Sequence, residues 1–296
     1  AVEPERTDSN RRLYSDEDIE RLLLLKLATE TGESIGQIAG LSEEDLLELV
    51  RSTRQEEPVV ASGEDRSSAE SFLRGGLEAV SKFDSQLFES RLLQASAVLG
   101  QQSLLNDLLI PLLHRIGEMW SDGSLRVAHE HLASTVVRSL LGSMMSAIRL
   151  EDTAPRFIAT TPTGQFHEFG ALMASVTAAS LGWRIIYLGP NMPAEDIAAA
   201  TKGTAARVVG LSLVYPPDDR RLDLELRKLR HLVGDDVIIM AGGRAAPAYA
   251  EILEELDIAK VNSLPELRTE LENIRQALPL RKHDGESAAK RGGTIH

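Results

Sequence analysis

The stretch Arg156-Phe157-Ile158-Ala159-Thr160-Thr161-Pro162-Thr163-Gly164-Gln165-Phe166-His167-Glu168-Phe169-Gly170 decides how this chain reads. Residues 156–160 are a short β-prone run, and helical spacing resumes near residue 167, so a buried strand passes through a loop into a helix. His167 then stands in that loop at the strand's carboxyl edge, where a ring nitrogen can be offered to a ligand. Downstream, further β-prone runs at 184–188, 208–213, 237–240 and 258–261 alternate with helical segments at 167–181, 194–201, 222–232, 247–256 and 265–277. Such alternation predicts a five-stranded parallel sheet covered on both faces, with ligands binding beyond the carboxyl ends of the strands. The third strand ends at Ser212-Leu213-Val214 and the fourth runs into Gly242-Gly243. There the missing Cβ atoms let a bulky planar or elongated ligand approach the backbone. All three loops converge on one edge.

Upstream of Pro155 the texture is helical. Apolar residues recur at helical spacing between Ala69 and Ile148, with breaks near Lys82-Phe83-Asp84, Gly100-Gln101-Gln102 and Ser121-Asp122-Gly123. That pattern predicts four helices, and a four-helix bundle is the simplest way to bury their stripes. Residues 51–68 turn to Ser, Glu, Gln, Gly and Pro and read as a linker. Before it, Ser15 reads as an N-cap with Asp18 three residues on, opening a small helical unit. The expected order is therefore 1–50 helical element, 51–68 linker, 69–150 four-helix bundle, 155–280 α/β domain and 281–296 disordered tail.

Composition narrows the function. The chain has 296 residues, 43% hydrophobic and 26% charged, which fits a globular protein of roughly two domains. It has no cysteine, which excludes disulfides, thiolate metal sites and thiol nucleophiles, so a metal must be held by His, carboxylate or neutral groups. A net charge of −13, from 45 acidic and 32 basic residues, repels nucleic acid except where cations cluster. Aromatics at 4% disfavour base-stacking platforms. No apolar run approaches the ~20 residues of a membrane helix and no secretory pattern opens the chain, so a cytoplasmic protein without membrane contact is expected.

The intervals carry more. Gln165-x-His167-x-x-Gly170 is followed by 41 residues, then Ser212-x-Val214, then 27 residues, then Gly242-Gly243. This resembles the cobalamin-binding motif DxHxxG…SxL…GG. The resemblance implies a flavodoxin-like, Rossmann-type domain in which His167 is the lower axial ligand to cobalt. It also implies that Ser212, Gly242 and Gly243 line a channel for the displaced nucleotide tail. Imidazole is a good cobalt ligand, and its other nitrogen ordinarily needs a partner that fixes tautomer and orientation. The family's acidic residue at that place is Gln165 here, an uncharged acceptor, so His167 is expected to be less basic than its counterparts. Glu168 is expected to leave the loop in another direction.

Trp120, nine residues and then Glu130-His131 form a second pattern. It is similar to the Wx9EH signature of the helical cap in light-sensing, adenosylcobalamin-dependent regulators of the CarH/LitR type. The resemblance implies that Trp120 and Glu130 pack around the adenosyl group on the upper corrin face. The residue after the tryptophan, a histidine in the best-known photoreceptors, is Ser121 here, which removes that light-state ligand; His129 and His131 lie nearby and could compensate, and His131 is counted with Trp120 and Glu130 among the expected cofactor-binding residues. A third stretch, from Pro4 to Ile19, resembles the wing and third helix of MerR-type DNA-binding domains, making Arg6, Arg11 and Arg12 phosphate contacts rather than base readers. Only the rear part of such a DNA reader is expected in this sequence, which implies either a sequence trimmed at its N-terminus, with operator DNA as partner, or a protein that has lost autonomous operator recognition.

Each feature has a plainer reading. A lone histidine at a strand end is ordinarily a satisfied loop residue, Gly242-Gly243 a tight turn, Trp120 bundle core and Arg11-Arg12 a solvated pair. The matched intervals favour the cofactor instead. His114, His231, His283 and His296 read as structural or surface residues. The resulting expectation is a non-enzymatic, cobalamin-dependent light-sensing transcription regulator. Photolysis of its cobalt–carbon bond would change self-association, tetrameric in the dark by resemblance, and hence operator DNA binding. A corrinoid methyl carrier and a cobalamin-binding antirepressor working through protein contacts are the alternatives.

Overall fold

A computed structural model of the chain describes residues 5–6, 12–13, 25, 40, 42, 63–217 and 219–277. The chain divides into two compact units, Ala1–Glu64 and Asp65–His296. In the first, strands β1 (Glu5–Arg6) and β2 (Arg12–Leu13) pair antiparallel with Arg6 opposite Arg12. Arg11, the expected helices of residues 16–50 and the expected tail of 281–296 lie outside the described residues, apart from isolated positions.

The second unit opens with the four expected helices. They are α1 (Gly63–Ser81), α2 (Ser85–Val98), α3 and α4 (Val127–Ala147). Helix α3 is one rod assembled from Gln101–Ser103, a π-helical Leu104–Leu109 and Ile110–Ser121. Helix α1 begins inside the stretch whose composition suggested a linker. Ser and Glu carry no apolar periodicity, yet their helix propensity is adequate once Ala69 and the residues after it pack. Asp84 caps α2 by accepting the Leu87 N–H at 2.9 Å. Phe88, Leu92, Leu105, Leu109, Leu112, Val137 and Leu141 fill the bundle.

The α/β part follows as β3 (Arg156–Pro162), α5 (Phe169–Ser180), β4 (Arg184–Met192), α6 (Ala194–Thr204), β5 (Val208–Ser212), α7 (Arg220–Val233) and β6 (Ile238–Gly242). A 3-10 turn Ala246–Tyr249 leads into α8 (Ala250–Glu255), β7 (Ala259–Val261) and α9 (Leu264–Ala277). All five strands are parallel in the order β4-β3-β5-β6-β7, which is the flavodoxin-like arrangement. The strand order reverses at β3, so the crevice where such sheets bind ligands opens beside the carboxyl ends of β3 and β5. Side chains alternate between faces: Phe157, Val208 and Met240 pack with Trp183 and Leu271, while Ile158, Val209 and Ile239 pack with Leu222 and Leu226.

Strand β4 runs to Met192, beyond the expected 188. Gly189 (φ +86°) and Asn191 (φ +60°) take left-handed backbone there, a turn-like signal, while the pairing with β3 continues across a bulge. Helix α5 starts at Phe169 rather than 167, leaving His167 in the loop. This helix is buried on two sides. Ala171 and Ala178 face the sheet, whereas Leu172, Met173 and Val176 complete the core of the bundle. Its small residues let bundle and sheet close on it together, so the α5 sequence reads apolar all round.

Candidate functional site

The loop between β3 and α5 is held from below. The Asn191 side-chain oxygen accepts the Gly164 N–H at 2.8 Å, and the Asn191 N–H donates to the Gln165 carbonyl at 3.1 Å. Gln165 itself is 1% exposed and uses its whole amide inside the fold. Its Oε1 accepts from the N–H groups of Val214 (2.8 Å) and Tyr215 (3.0 Å), and its Nε2 donates to the Pro216 carbonyl at 3.3 Å. Gln165 therefore clamps the loop after β3 to the loop after β5. Val214 enters the site through its backbone.

His167 projects from this clamped loop and is exposed, as is Phe166 before it. The edge of the Tyr215 ring stands near it, with centroids 6.3 Å apart and planes at 83°. Among the described residues the imidazole has no hydrogen-bond partner, so the Gln165 amide does not orient it. Glu168 does leave the loop in another direction. It is 9% exposed, and its carboxylate accepts from Arg138 Nε of α4 at 2.6 Å and from the Tyr187 hydroxyl of β4. Burial first, and then the hydrogen bond to Glu168, push the Tyr187 phenol well above its ordinary range, so it remains a neutral donor.

The three glycines of the motif are explained largely by protein. A Cβ at Gly170 would lie 2.3 Å from Ser212 Oγ, one at Gly242 2.7 Å from the Val261 carbonyl oxygen, and one at Gly243 2.4 Å from the Leu213 carbonyl oxygen. Gly243 also has φ +105°. The strand ends and the start of α5 thus close up so tightly that side chains are barred. Ser212 differs. Its Oγ is buried with no hydrogen-bond partner among the described residues, and such a hydroxyl is costly unless something supplies the missing bond.

On the bundle side, Trp120 ends α3 with 51% exposure, while Trp183, the chain's other tryptophan, is fully buried. Val127, across the α3–α4 turn, is also half exposed. Glu130 lies in the first turn of α4, bonded to the Ser134 hydroxyl at 2.5 Å and to His131 Nδ1 at 2.7 Å, with His131 exposed. His129 is not part of this surface. It is 8% exposed, stacks on Phe83 at 3.7 Å, and its Nδ1 accepts the Arg126 N–H at 3.0 Å, which closes the first turn of α4. Arg138 lies two turns further along α4 than Glu130, about 12 Å at 1.5 Å per residue. The Glu130 carboxylate thus stands about 12 Å along α4 from the residue that contacts Glu168, the neighbour of His167.

The Arg138–Glu168–Tyr187 cluster gave no local sequence signal, since its members are distant in sequence and come from three elements. Among the described residues, no group of three or more His, Asp or Glu could hold a metal ion. A metal bringing its own macrocycle needs only one protein nitrogen, and an exposed imidazole in the loop after β3 with an unpartnered buried hydroxyl at the end of β5 fits a corrinoid.

Comparison with known proteins agrees with this geometry. Residues 155–266 match a family described as B12 binding domain, residues 73–143 match a second B12 binding domain family, and residues 1–45 match the MerR HTH family regulatory protein. The monomethylamine corrinoid protein of Methanosarcina barkeri shares the fold, with a TM-score of 0.54 at 15% identity, covering 67% of this chain and 95% of that one. A five-stranded parallel B12-binding domain, a helical B12-binding cap and a MerR-type element define a cobalamin-dependent transcription regulator. The HTH-type transcriptional repressor CarH of Myxococcus xanthus is 31% identical over 86% of this chain and 84% of its own length, and the repressor CarA of the same organism is 26% identical over 91% and 86%. The chain belongs to the CarH family of HTH-type transcriptional repressors. Among the described residues no helix is long and apolar enough to cross a membrane.

Proposed function

We propose that this regulator is a light sensor that uses adenosylcobalamin, binds operator DNA in the cytoplasm without catalysing a reaction, and changes its self-association when the cofactor's upper ligand is lost. The observation that carries the reading is the orphaned Ser212 hydroxyl at the end of β5, one of the two strands beside the strand-order reversal, with an exposed His167 in the loop after the other; the half-exposed Trp120 of the helical cap supports it. Bound adenosylcobalamin supplies a cobalt–carbon bond that visible light can break. His167 would hold the metal through one ring nitrogen. Ser212 gives its hydroxyl to the cofactor's tail below the start of α5. Trp120 would exclude water from the adenosyl group, and Glu130, oriented by Ser134 and His131, would accept hydrogen bonds from it. Gln165 and Val214 keep the two loops in register, and Gly170, Gly242 and Gly243 allow their close approach. Arg6, Arg11 and Arg12 contact phosphates, and the protein is a homotetramer in the dark.

Absorption spectra of the full chain loaded with adenosylcobalamin in darkness, before and after green light, test this. The wild type is expected to change spectrum on illumination and His167→Ala to lose the imidazole-ligated form. Identical behaviour of the two removes His167 as ligand, and a loaded protein without photolysis removes light sensing. Preferential binding of methylcobalamin, or gel shifts without operator retention, would instead favour the methyl-carrier or antirepressor role.

A further inference from the structure

Glu168 occupies the N-cap position of α5 at φ −85°, ψ −15°, yet its side chain makes no capping hydrogen bond to that helix. An acid at a helix start is normally drawn to the free N–H groups there. Here the carboxylate turns away and is fastened from two sides, by Arg138 of the cap helix α4 and by Tyr187 of strand β4. The Glu168 side chain is 11% exposed and that of Arg138 52%, so the acid is the buried partner and the guanidinium reaches in from the surface. Glu168 is also the next residue after His167, whose imidazole has no hydrogen-bond partner among the described residues and whose neighbour Gln165 is fully engaged elsewhere. A metal-ligating histidine is usually aimed by a hydrogen bond to its second nitrogen. In this loop the aim has to come from the backbone and from the Tyr215 edge.

We propose that Arg138, Glu168 and Tyr187 are positioning residues for His167: they pin the peptide carrying the imidazole to the cap on one side and to the sheet on the other, so that cap placement and imidazole placement move together. This rests on His167 being the cobalt ligand. A cap that tilts while its α5 contacts stay in place disturbs the Arg138 bond to Glu168 and carries the imidazole with it. By reciprocity, ligation through His167 holds the cap closed. Tyr187, kept neutral, contributes direction to the link, and Arg138 contributes both direction and charge.

The test uses the full chain. Adenosylcobalamin is added in the dark, the ratio of imidazole-ligated to unligated cobalt is read from the absorption spectrum, and amide exchange across residues 127–138 is followed in the same samples. Arg138→Met is expected to lower that ratio about threefold to tenfold and to speed exchange in α4, as removing the half-exposed partner of a charged hydrogen bond to a buried carboxylate does. Arg138→Lys, which keeps a cation, restores part of the ratio. Tyr187→Phe, which removes one hydroxyl, lowers it about threefold and stands as the test if Arg138→Met does not fold. A melting temperature that falls in Arg138→Met and Tyr187→Phe while the ratio stays at the wild-type value overturns the proposal, because the cluster then only stabilises the fold. His167→Ala, run alongside, separates the failures. If it leaves the spectrum unchanged, the ligand assignment is wrong; if it abolishes the ligated form while the cluster variants do not move the ratio, only the positioning role is lost.

Discussion

Replacing Ser212 with alanine should move stability and affinity in opposite directions. In the protein alone the Ser212 hydroxyl is buried without a hydrogen bond, beside the closely packed Gly170. Leaving such a group unpaired costs about 1–3 kcal/mol, whereas removing one oxygen leaves a void smaller than a methyl group. Ser212→Ala should therefore stabilise the cofactor-free protein by about 1 kcal/mol, which raises the melting temperature by roughly 2–4 °C for a unit of this size. If the same hydroxyl is satisfied by the cobalamin tail, its loss removes a hydrogen bond of about 0.5–1.5 kcal/mol and weakens binding roughly 2- to 12-fold. The assay is a pair of measurements on one variant: a thermal melt without cofactor, and a dark titration with adenosylcobalamin followed by absorbance. A lower melting temperature together with unchanged affinity would refute the reasoning, since the hydroxyl would then have a partner in the fold and none in the ligand. Gly170→Ala is the steric companion. Its methyl group would stand 2.3 Å from Ser212 Oγ, so it should destabilise in the wild-type background and much less when Ser212 is also alanine.

Three further outcomes are expected. Gln165→Ala strips the partners from two backbone N–H groups and a carbonyl, and denaturant unfolding should report a loss of about 2–4 kcal/mol, more than Gln165→Glu, which keeps the acceptor. His129→Ala loses its stack on Phe83 and the bond that closes the first turn of α4, so it should destabilise by about 1–3 kcal/mol in unfolding experiments while the cobalamin spectrum of the surviving folded protein is unaltered. Burial and then the charge of Arg244 hold the His114 imidazole below its ordinary range, against an opposing pull from Glu118. Since the folded value is depressed, His114 favours the folded state above its unfolded value near 6.5, and that contribution fades as the pH falls through the folded one. An NMR titration should place its midpoint below that of a free histidine, and Arg244→Gln should move the midpoint up.

Much of this architecture was legible because its signals are local. The breaks at Phe83, Gly100 and Gly123 separate four helices, and the strand-to-helix alternation after Pro155 marks the parallel sheet with His167 at its carboxyl edge. Readings that depended on what a side chain meets were less accessible. Gln165 has the size and place of an imidazole partner, but two N–H groups from the loop after β5, some fifty residues on, take its oxygen. His129 sits beside the Trp120…Glu130 pattern in sequence, yet it faces Phe83 inside the bundle. The spacing of Gly242 and Gly243 looks like room for a ligand, while the atoms their Cβ groups would strike are the backbone carbonyls of Val261 in β7 and of Leu213 just past β5. Helix periodicity reports which way a residue points, and pairing across distant elements reports what it finds there.

The double burial of α5 constrains how a cap of this kind can respond to its cofactor. Leu172, Met173 and Val176 belong to the bundle core, and Ala171 and Ala178 belong to the sheet core, so the middle of α5 ties both layers through close-packed, non-directional contacts. Sliding the cap bodily over the sheet would break all of these at once, at several kcal/mol for the large side chains alone. A hinge that leaves the α5 contacts in place costs far less. The polar groups then become the discriminating contacts, because a small rotation spoils a hydrogen bond to Glu168 before it uncovers a leucine. The end of the bundle bearing Trp120 and Glu130 lies away from the Arg138 contact along α4, so a hinge at α5 displaces that end furthest. Two states differing in cofactor affinity can thus differ mainly in whether that end is closed, as a ligand-biased equilibrium requires.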